Sequence, residues 1–176
     1  MLDAKPEVKP VKLICGVMFQ PTIDIDAVDS ALTELFGLID SRSDPFDFSF
    51  TDYYEKEMGT GLAKRFYSFH KLIQPDSLAS IKNKTNGTEA IFSVDNKRTV
   101  NLDPGYLEES KLVLASTKNF SHRIYLGDKI WGEVTLRYEK GEFVTHPWTY
   151  ADYAIPLAFE YFRKVRERYR KQLARP

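Results

Sequence analysis

A single cysteine is too few for an intrachain disulfide. Cys15 sits among Leu13, Ile14, Val17, Met18 and Phe19, a run in which a thiol packs as a small buried hydrophobe rather than acting as a nucleophile. A lone thiol suits a reducing compartment, so a cytoplasmic location is expected. Charge of either sign is not in excess. The 25 Lys and Arg balance 25 Asp and Glu, which removes whole-surface attraction to nucleic acid or to anionic lipid. Long hydrophobic runs are missing: no stretch approaches the ~18 apolar residues of a membrane span, and the polar start MLDAKPEVKPVK lacks a signal-peptide h-region.

Several chemical signatures are absent as well. There is no GxxxxGK[ST], which disfavours a P-loop nucleotidase, and no GxGxxG, CxxC, GxSxG or HExxH. His70, His122 and His146 stand at no metal-ligand spacing. Two-histidine phosphoesterases need paired His-x-Thr/Ser motifs, but His70 is followed by Lys71-Leu72 and His122 by Arg123-Ile124. No repeat or low-complexity tract interrupts the chain.

What is abundant is aromatic: ten Tyr and twelve Phe in 176 residues, a content that fills cores and lines grooves and half-wet sheet faces. At this length one domain with a sizeable core is expected, preceded by a loose arm over residues 1–10. Val11–Phe19 reads as a buried strand. Asp24 is placed to cap a helix with Ile25, Val28, Leu32, Leu35 and Phe36 on one stripe, stopped by Gly37. An extended segment over 38–50 follows. Residues 51–59 are acidic and aromatic, a loop or short helix in which Asp52, Glu55 and Glu57 offer oxygen ligands to a hard cation such as Mg²⁺ or simply form a solvated turn. The stretch 64–73 alternates as a strand. Pro75 opens a helix through Leu78, Ile81 and Lys82 that is expected to end near Asn86-Gly87, with a short strand over 90–94 after it.

The segment 98–138 has the densest alternation. Val100 and Leu102 oppose Asn101 and Asp103, and Asp103-Pro104-Gly105 reads as a turn ending that strand, with Asp103 as its cap or at a site rim. Arg123–Leu126 and Ile130–Tyr138 read as a hairpin. A three-residue loop, Gly127-Asp128-Lys129, sets Leu126 against Ile130, Ile124 against Gly132 and Arg123 against Glu133 on a solvated face. The last helix, near 155–172, carries Ile155, Phe159, Phe162, Val165 and Tyr169 on one stripe and a basic opposite face. That face suits an ordinary terminal helix, or contact with RNA, which the neutral charge disfavours. The order β-α-β, β-α-β indicates an α+β fold: a mainly antiparallel sheet with a ferredoxin-like, split βαβ core, helices on one face, added hairpins and a C-terminal helix.

Two functional expectations follow. One is a small-ligand site at the rim formed by 98–123, its cations and hydroxyls suited to a phosphate or nucleotide. Tyr106, Lys111, Ser116, Thr117, Lys118 and Arg123 are the candidate binding residues. Asp103, His122 and Asp52 are the candidates for proton transfer, and Asp52, Glu55 and Asp103 for a divalent cation. The other expectation is a non-catalytic interaction module or homodimer built on Tyr53, Tyr54, Trp131, Trp148 and Tyr150.

The phrases PVKLICGVMF (10–19), FTDYYEKEMG (50–59), VNLDPGYL (100–107), KLVLASTKNFSHRIYLGDKIWGEVTLRY (111–138) and PWTYADY (147–153) resemble the DUF4416 family of uncharacterised prokaryotic proteins. Ala151 departs from that pattern, where a proline is expected. Some members carry a "GTP-binding" label, but this chain has no GTPase motif. The resemblance implies no activity.

Overall fold

The computed structural model describes residues 7–174. Most of the expected arm, residues 1–6, lies outside them. Residues 7–10 are without regular structure, and Pro10 is tied down where its carbonyl accepts from the Tyr169 hydroxyl at 2.9 Å.

Strand β1 (Val11–Phe19) and helix α1 (Ile25–Phe36) form as their patterns dictate. Asp24 Oδ1 accepts from the Asp26 amide at 3.1 Å, and Gly37 at φ 83° ends the helix in a conformation that costs glycine little. The segment after α1 divides into β2 (Ile39–Arg42) and β3 (Phe46–Asp47), and the acidic segment holds one short helix, α2 (Glu55–Met58). β4 (Ala63–Ile73) follows, then a 3₁₀ turn at Pro75–Ser77 that opens α3 (Leu78–Ile91). α3 runs through Gly87 to Ile91 and takes the start of the strand expected at 90–94, of which an isolated Val94–Lys97 bridge remains. A glycine costs a helix only about 1 kcal/mol, which the packing of Leu78, Ile81, Lys82, Thr85 and Glu89 against the sheet outweighs. Asp95 and Asn96, both at positive φ, then turn the chain toward the next strand.

The remaining strands are β5 (Val100–Leu107), β6 (Lys111–Ser116), β7 (Ile124–Gly127), β8 (Ile130–Glu139) and β9 (Glu142–Thr145), before α4 (Pro156–Leu173). Among the described residues all nine strands join one sheet, ordered β2-β4-β1-β5-β6-β8-β7, with β3 on β4 and β9 on β8. Every pairing is antiparallel. α1 and α3 cover one face through Leu13, Val17, Tyr67, Val100 and Leu102. α4 covers the other through Ile14, Phe66, Leu112, Leu136, Phe162 and Val165. Helices therefore lie on both faces, not one, because the C-terminal helix buries its aromatic stripe against the face that α1 and α3 leave open.

Three local expectations are corrected. Asp103-Pro104-Gly105 is not a turn but the middle of β5, paired along its length with β1. Leu102 sends its amide and carbonyl to Glu89 and Lys82 of α3. By strand alternation Pro104 points its missing N–H to that same side, where β5 pairs with β6 only from Gly105 to Leu107. The proline thus sits where no ladder bond is lost. The β7–β8 loop is the two-residue turn Asp128-Lys129, both at positive φ, and a bulge pairs Gly127 rather than Leu126 with Ile130 while keeping Ile124 opposite Gly132. Finally, an irregularity at Thr135 switches the parity of β8. Ile130 and Val134 pack toward α3 while Leu136 and Tyr138 pack toward α4.

Candidate functional site

Where β5 and β6 diverge, the sheet opens into a cavity of about 790 Å³. Its floor comes from several elements. β5 contributes Asn101 and Asp103, β4 contributes Lys64, and α3 reaches into the gap between the strands with Lys82 and Glu89. The 3₁₀ turn at Ala151–Tyr153 adds Asp152 and Tyr153. Gly16 of β1 makes the room: a Cβ there would lie 2.7 Å from the Tyr153 hydroxyl oxygen and 2.9 Å from Lys64 Cε.

The floor is a chain of alternating charges. Lys64 Nζ is 2.6 Å from Asp152 Oδ2 and 3.5 Å from Asp103 Oδ2, and Lys82 Nζ is 3.7 Å from Asp103 Oδ1. Asn101 Nδ2 donates to Asp103 Oδ2 at 2.8 Å, and its Oδ1 accepts from Arg98 Nη1 at 2.7 Å. Arg98 clamps Glu57 of α2 through two bonds of 2.8 and 2.7 Å, which fastens the acidic loop to the site. Burial opposes the charge of Asp103, but Lys64 and Lys82 outweigh it and hold the carboxyl below its ordinary range. Burial also works against the charge of Lys64, yet Asp152, Tyr153 and Asp103 hold its pKa well above the ordinary lysine value. Glu89 goes the other way: burial raises its pKa despite Lys82, the Leu102 amide and Arg98.

The mouth is aromatic and hydroxylic. Phe48, Phe50, Tyr53, Tyr54 and Tyr150 line it, opposite Ser116, Thr117 and Lys118 at the end of β6. Lys118 Nζ donates to the Tyr53 hydroxyl and lies 4.4 Å from that ring centroid, bridging the two sides. Arg123 stands behind this wall, donating to Ser116 Oγ at 3.0 Å, Lys118 O at 2.8 Å, the Tyr150 hydroxyl at 2.6 Å and Glu133 Oε2 at 2.8 Å. The expected Arg123–Glu133 pair is therefore present, but not on a solvated face: the Glu133 side chain is 1% exposed and faces the cavity wall.

Of the residues singled out from the sequence, Asp103, Ser116, Thr117 and Lys118 line the cavity and Arg123 braces it. His122 stands one layer back, its Nε2 3.0 Å from Glu133 Oε2 and its ring stacked 4.9 Å from Trp148. Tyr106 and Lys111 are elsewhere. Tyr106 packs with Val113 and Val134 toward α3, and Lys111 pairs with Glu108 at the far end of β6. Because 103–106 is strand rather than turn, an odd separation puts Tyr106 on the opposite face from Asp103. Asp52 and Glu55 do not line the cavity. Among the described residues no three His, Cys, Asp or Glu side chains converge to hold a metal, and lysines occupy the charge of Asp103.

Lys64, Lys82, Glu89, Arg98 and Asp152 escaped the sequence reading. Alternation already put Lys64 on the face of Phe66, and helical spacing puts Lys82 and Glu89 on the stripe begun by Leu78. Ending the helix at Gly87 hid Glu89. Arg98 and Asp152 left no comparable signal.

A family model described as a domain of unknown function, DUF4416, matches residues 9–169. The chain belongs to the DUF4416 family. No curated protein and no solved structure matches it. The matched residues of this DUF4416 protein include every cavity residue named above. Among its described residues no helix is long and apolar enough to cross a membrane.

Proposed function

We propose that this DUF4416 protein binds a small phosphate-bearing ligand, with a nucleotide the best fit, in the cavity between β5 and β6. The observation that carries the proposal is the union, in one cavity of about 790 Å³, of an aromatic mouth with the Ser116-Thr117-Lys118 turn. That volume lies within the span of small-molecule sites, roughly 300–1,000 Å³. Rings of Tyr53, Phe50 and Tyr150 offer faces for a planar base. The Lys118 ammonium and the Ser116 and Thr117 hydroxyls, on the same side of the mouth, offer donors to a phosphate. The free Cys15 thiol fits a reducing, cytoplasmic setting.

Thermal-shift and calorimetric titration with nucleotides and sugar phosphates test this. A ligand at ~100 times its dissociation constant should stabilise the fold by ~2.7 kcal/mol. Lys118→Ala and Tyr53→Ala should each weaken binding while the protein stays folded. A flat panel, or both variants binding like the wild type, defeats the proposal.

A second reading, homodimerisation, rests on a separate observation. Trp131 and Trp148 are half-buried, and Tyr53, Tyr54 and Tyr150 belong to the cavity mouth. The outermost strand β7, however, exposes Ile124 (74%), Tyr125 and Leu126, with Phe120 beside it. An unprotected apolar edge is a template for a second copy's edge. Light scattering should then show a mass that rises with concentration and falls back to the monomer in Ile124→Lys; a monomer at all concentrations rules it out.

A further inference from the structure

We infer that the cavity floor recognises the hydroxyl groups of its ligand, so that the ligand is a polyol phosphate such as a ribonucleotide or a sugar phosphate. The inference rests on the phosphate-ligand proposal and concerns the other end of the same molecule.

The floor has spare hydrogen-bonding capacity. Asp103 is the most open acid of the floor, with 27% of its side chain exposed to the cavity. A carboxylate can accept about four hydrogen bonds. Among the described residues Asp103 accepts only one of normal length, from Asn101 at 2.8 Å, because Lys64 and Lys82 stand off at 3.5 and 3.7 Å. Glu89 has one oxygen on the Leu102 amide at 2.6 Å, and its other is 3.4 Å from Arg98. Lys82 has one good acceptor, the Leu102 carbonyl at 2.7 Å, and two further N–H donors. The Tyr153 hydroxyl, in a side chain 1% exposed at the base of the cavity, has no hydrogen-bond partner among the described residues.

Acceptors and donors with spare capacity therefore alternate within a few ångströms. A phosphate only accepts, and here it would meet Asp103 and Glu89. An ammonium only donates, and it would meet Lys64 and Lys82. A hydroxyl does both at once: it donates to Asp103 or Glu89 while accepting from Lys82. Two neighbouring hydroxyls match the two oxygens of one carboxylate. The equal numbers of acids (Glu89, Asp103, Glu133, Asp152) and bases (Lys64, Lys82, Arg98, Lys118) lining the cavity fit a neutral polar body with a single anionic end at Lys118.

Calorimetry on the intact chain decides it, with a ribonucleoside 5′-monophosphate, its 2′,3′-dideoxy counterpart and a hexose 6-phosphate as probes. The expected result is that the hydroxylated probes bind about tenfold tighter or more than the dideoxy one, the effect of hydrogen bonds to charged groups. Asp103→Asn should shrink that ratio toward one, and Lys118→Ala should weaken all probes alike. Because the ratio is read first on the wild type, a variant that folds poorly does not remove the test. Equal affinity for the ribo and dideoxy probes, with Lys118→Ala weakening both, overturns the hydroxyl inference and leaves the phosphate proposal standing. No binding by any probe, or no effect of Lys118→Ala, overturns the phosphate proposal and the inference with it.

Discussion

Asp103 and Glu89 are two carboxylates in one cavity whose pKa values are pushed in opposite directions. Two lysines keep Asp103 charged, whereas burial makes charge costly on Glu89. Asp103 is accordingly a poor proton acceptor and a good counter-ion. Asp103→Asn strips Lys64 and Lys82 of a shared partner and should cost about 1–3 kcal/mol in urea unfolding at neutral pH. Because the folded pKa of Asp103 is lowered, that contribution is present above its unfolded value, near 3.9, and is lost as pH falls through the lower folded value. The gap between wild type and variant should close in acid. Glu89→Gln should be neutral or stabilising at pH 7, since an amide oxygen still accepts the Leu102 amide and no charge is buried. Equal losses in the two variants would contradict the assignment.

At the scale of elements, the site exists because β5 and β6 part company. Gly105 starts their short ladder, and its backbone lies so close to β6 that a Cβ would stand 2.3 Å from the Val113 carbonyl oxygen. Gly105→Ala must push the strands apart and should destabilise by about 3 kcal/mol, with ligand affinity falling further because Asp103 moves with β5. The β7–β8 turn offers the opposite test. Lys129 sits at φ 63°, a conformation that suits glycine, so Lys129→Gly should raise stability by roughly 0.5–1 kcal/mol in thermal unfolding. A loss there would show that the Lys129 side chain holds the turn. The element boundaries that the sequence misplaced share one cause: Gly87 and Pro104 are breakers by local propensity, and tertiary packing overrode both.

Over the whole molecule, aromatic rings pack on both faces of the sheet, and their hydroxyls are pulled inside with them. Burial raises the pKa of Tyr54, Tyr67, Tyr153, Tyr161 and Tyr169. A phenol whose folded pKa exceeds its unfolded value, about 10, holds its proton longer when folded. Its contribution to stability is full below pH 10 and is lost as pH rises through the folded value. Alkaline unfolding should therefore begin above pH 10, with the phenolate absorbance of these five rings appearing only at the loss of near-ultraviolet dichroism. Conversion of all ten tyrosines to phenolate before that loss would count against this burial. The basic face of α4 is likewise partly engaged within the molecule: Arg166 donates to the Glu109 carbonyl, Arg168 to the Asp40 carbonyl, and Arg170 pairs with Glu109.

The sequence by itself determined β1, α1 with both its caps, the alternation of β4, the aromatic stripe of α4 and the α+β class. All of these depend on periodicity or on the φ preference of one residue, which act over a few positions. It also pointed to Asp103, Ser116, Thr117, Lys118 and Arg123, because they crowd into one stretch. Only the tertiary structure decided that Lys64, Lys82, Glu89, Arg98 and Asp152 join them, and that Tyr106 and Lys111 do not. The reason is physical: a buried charge is tolerated only where a partner from another element meets it. Which lysine faces which aspartate follows from the divergence of β5 and β6 and the helix that fills it, distances along the chain that no local pattern records.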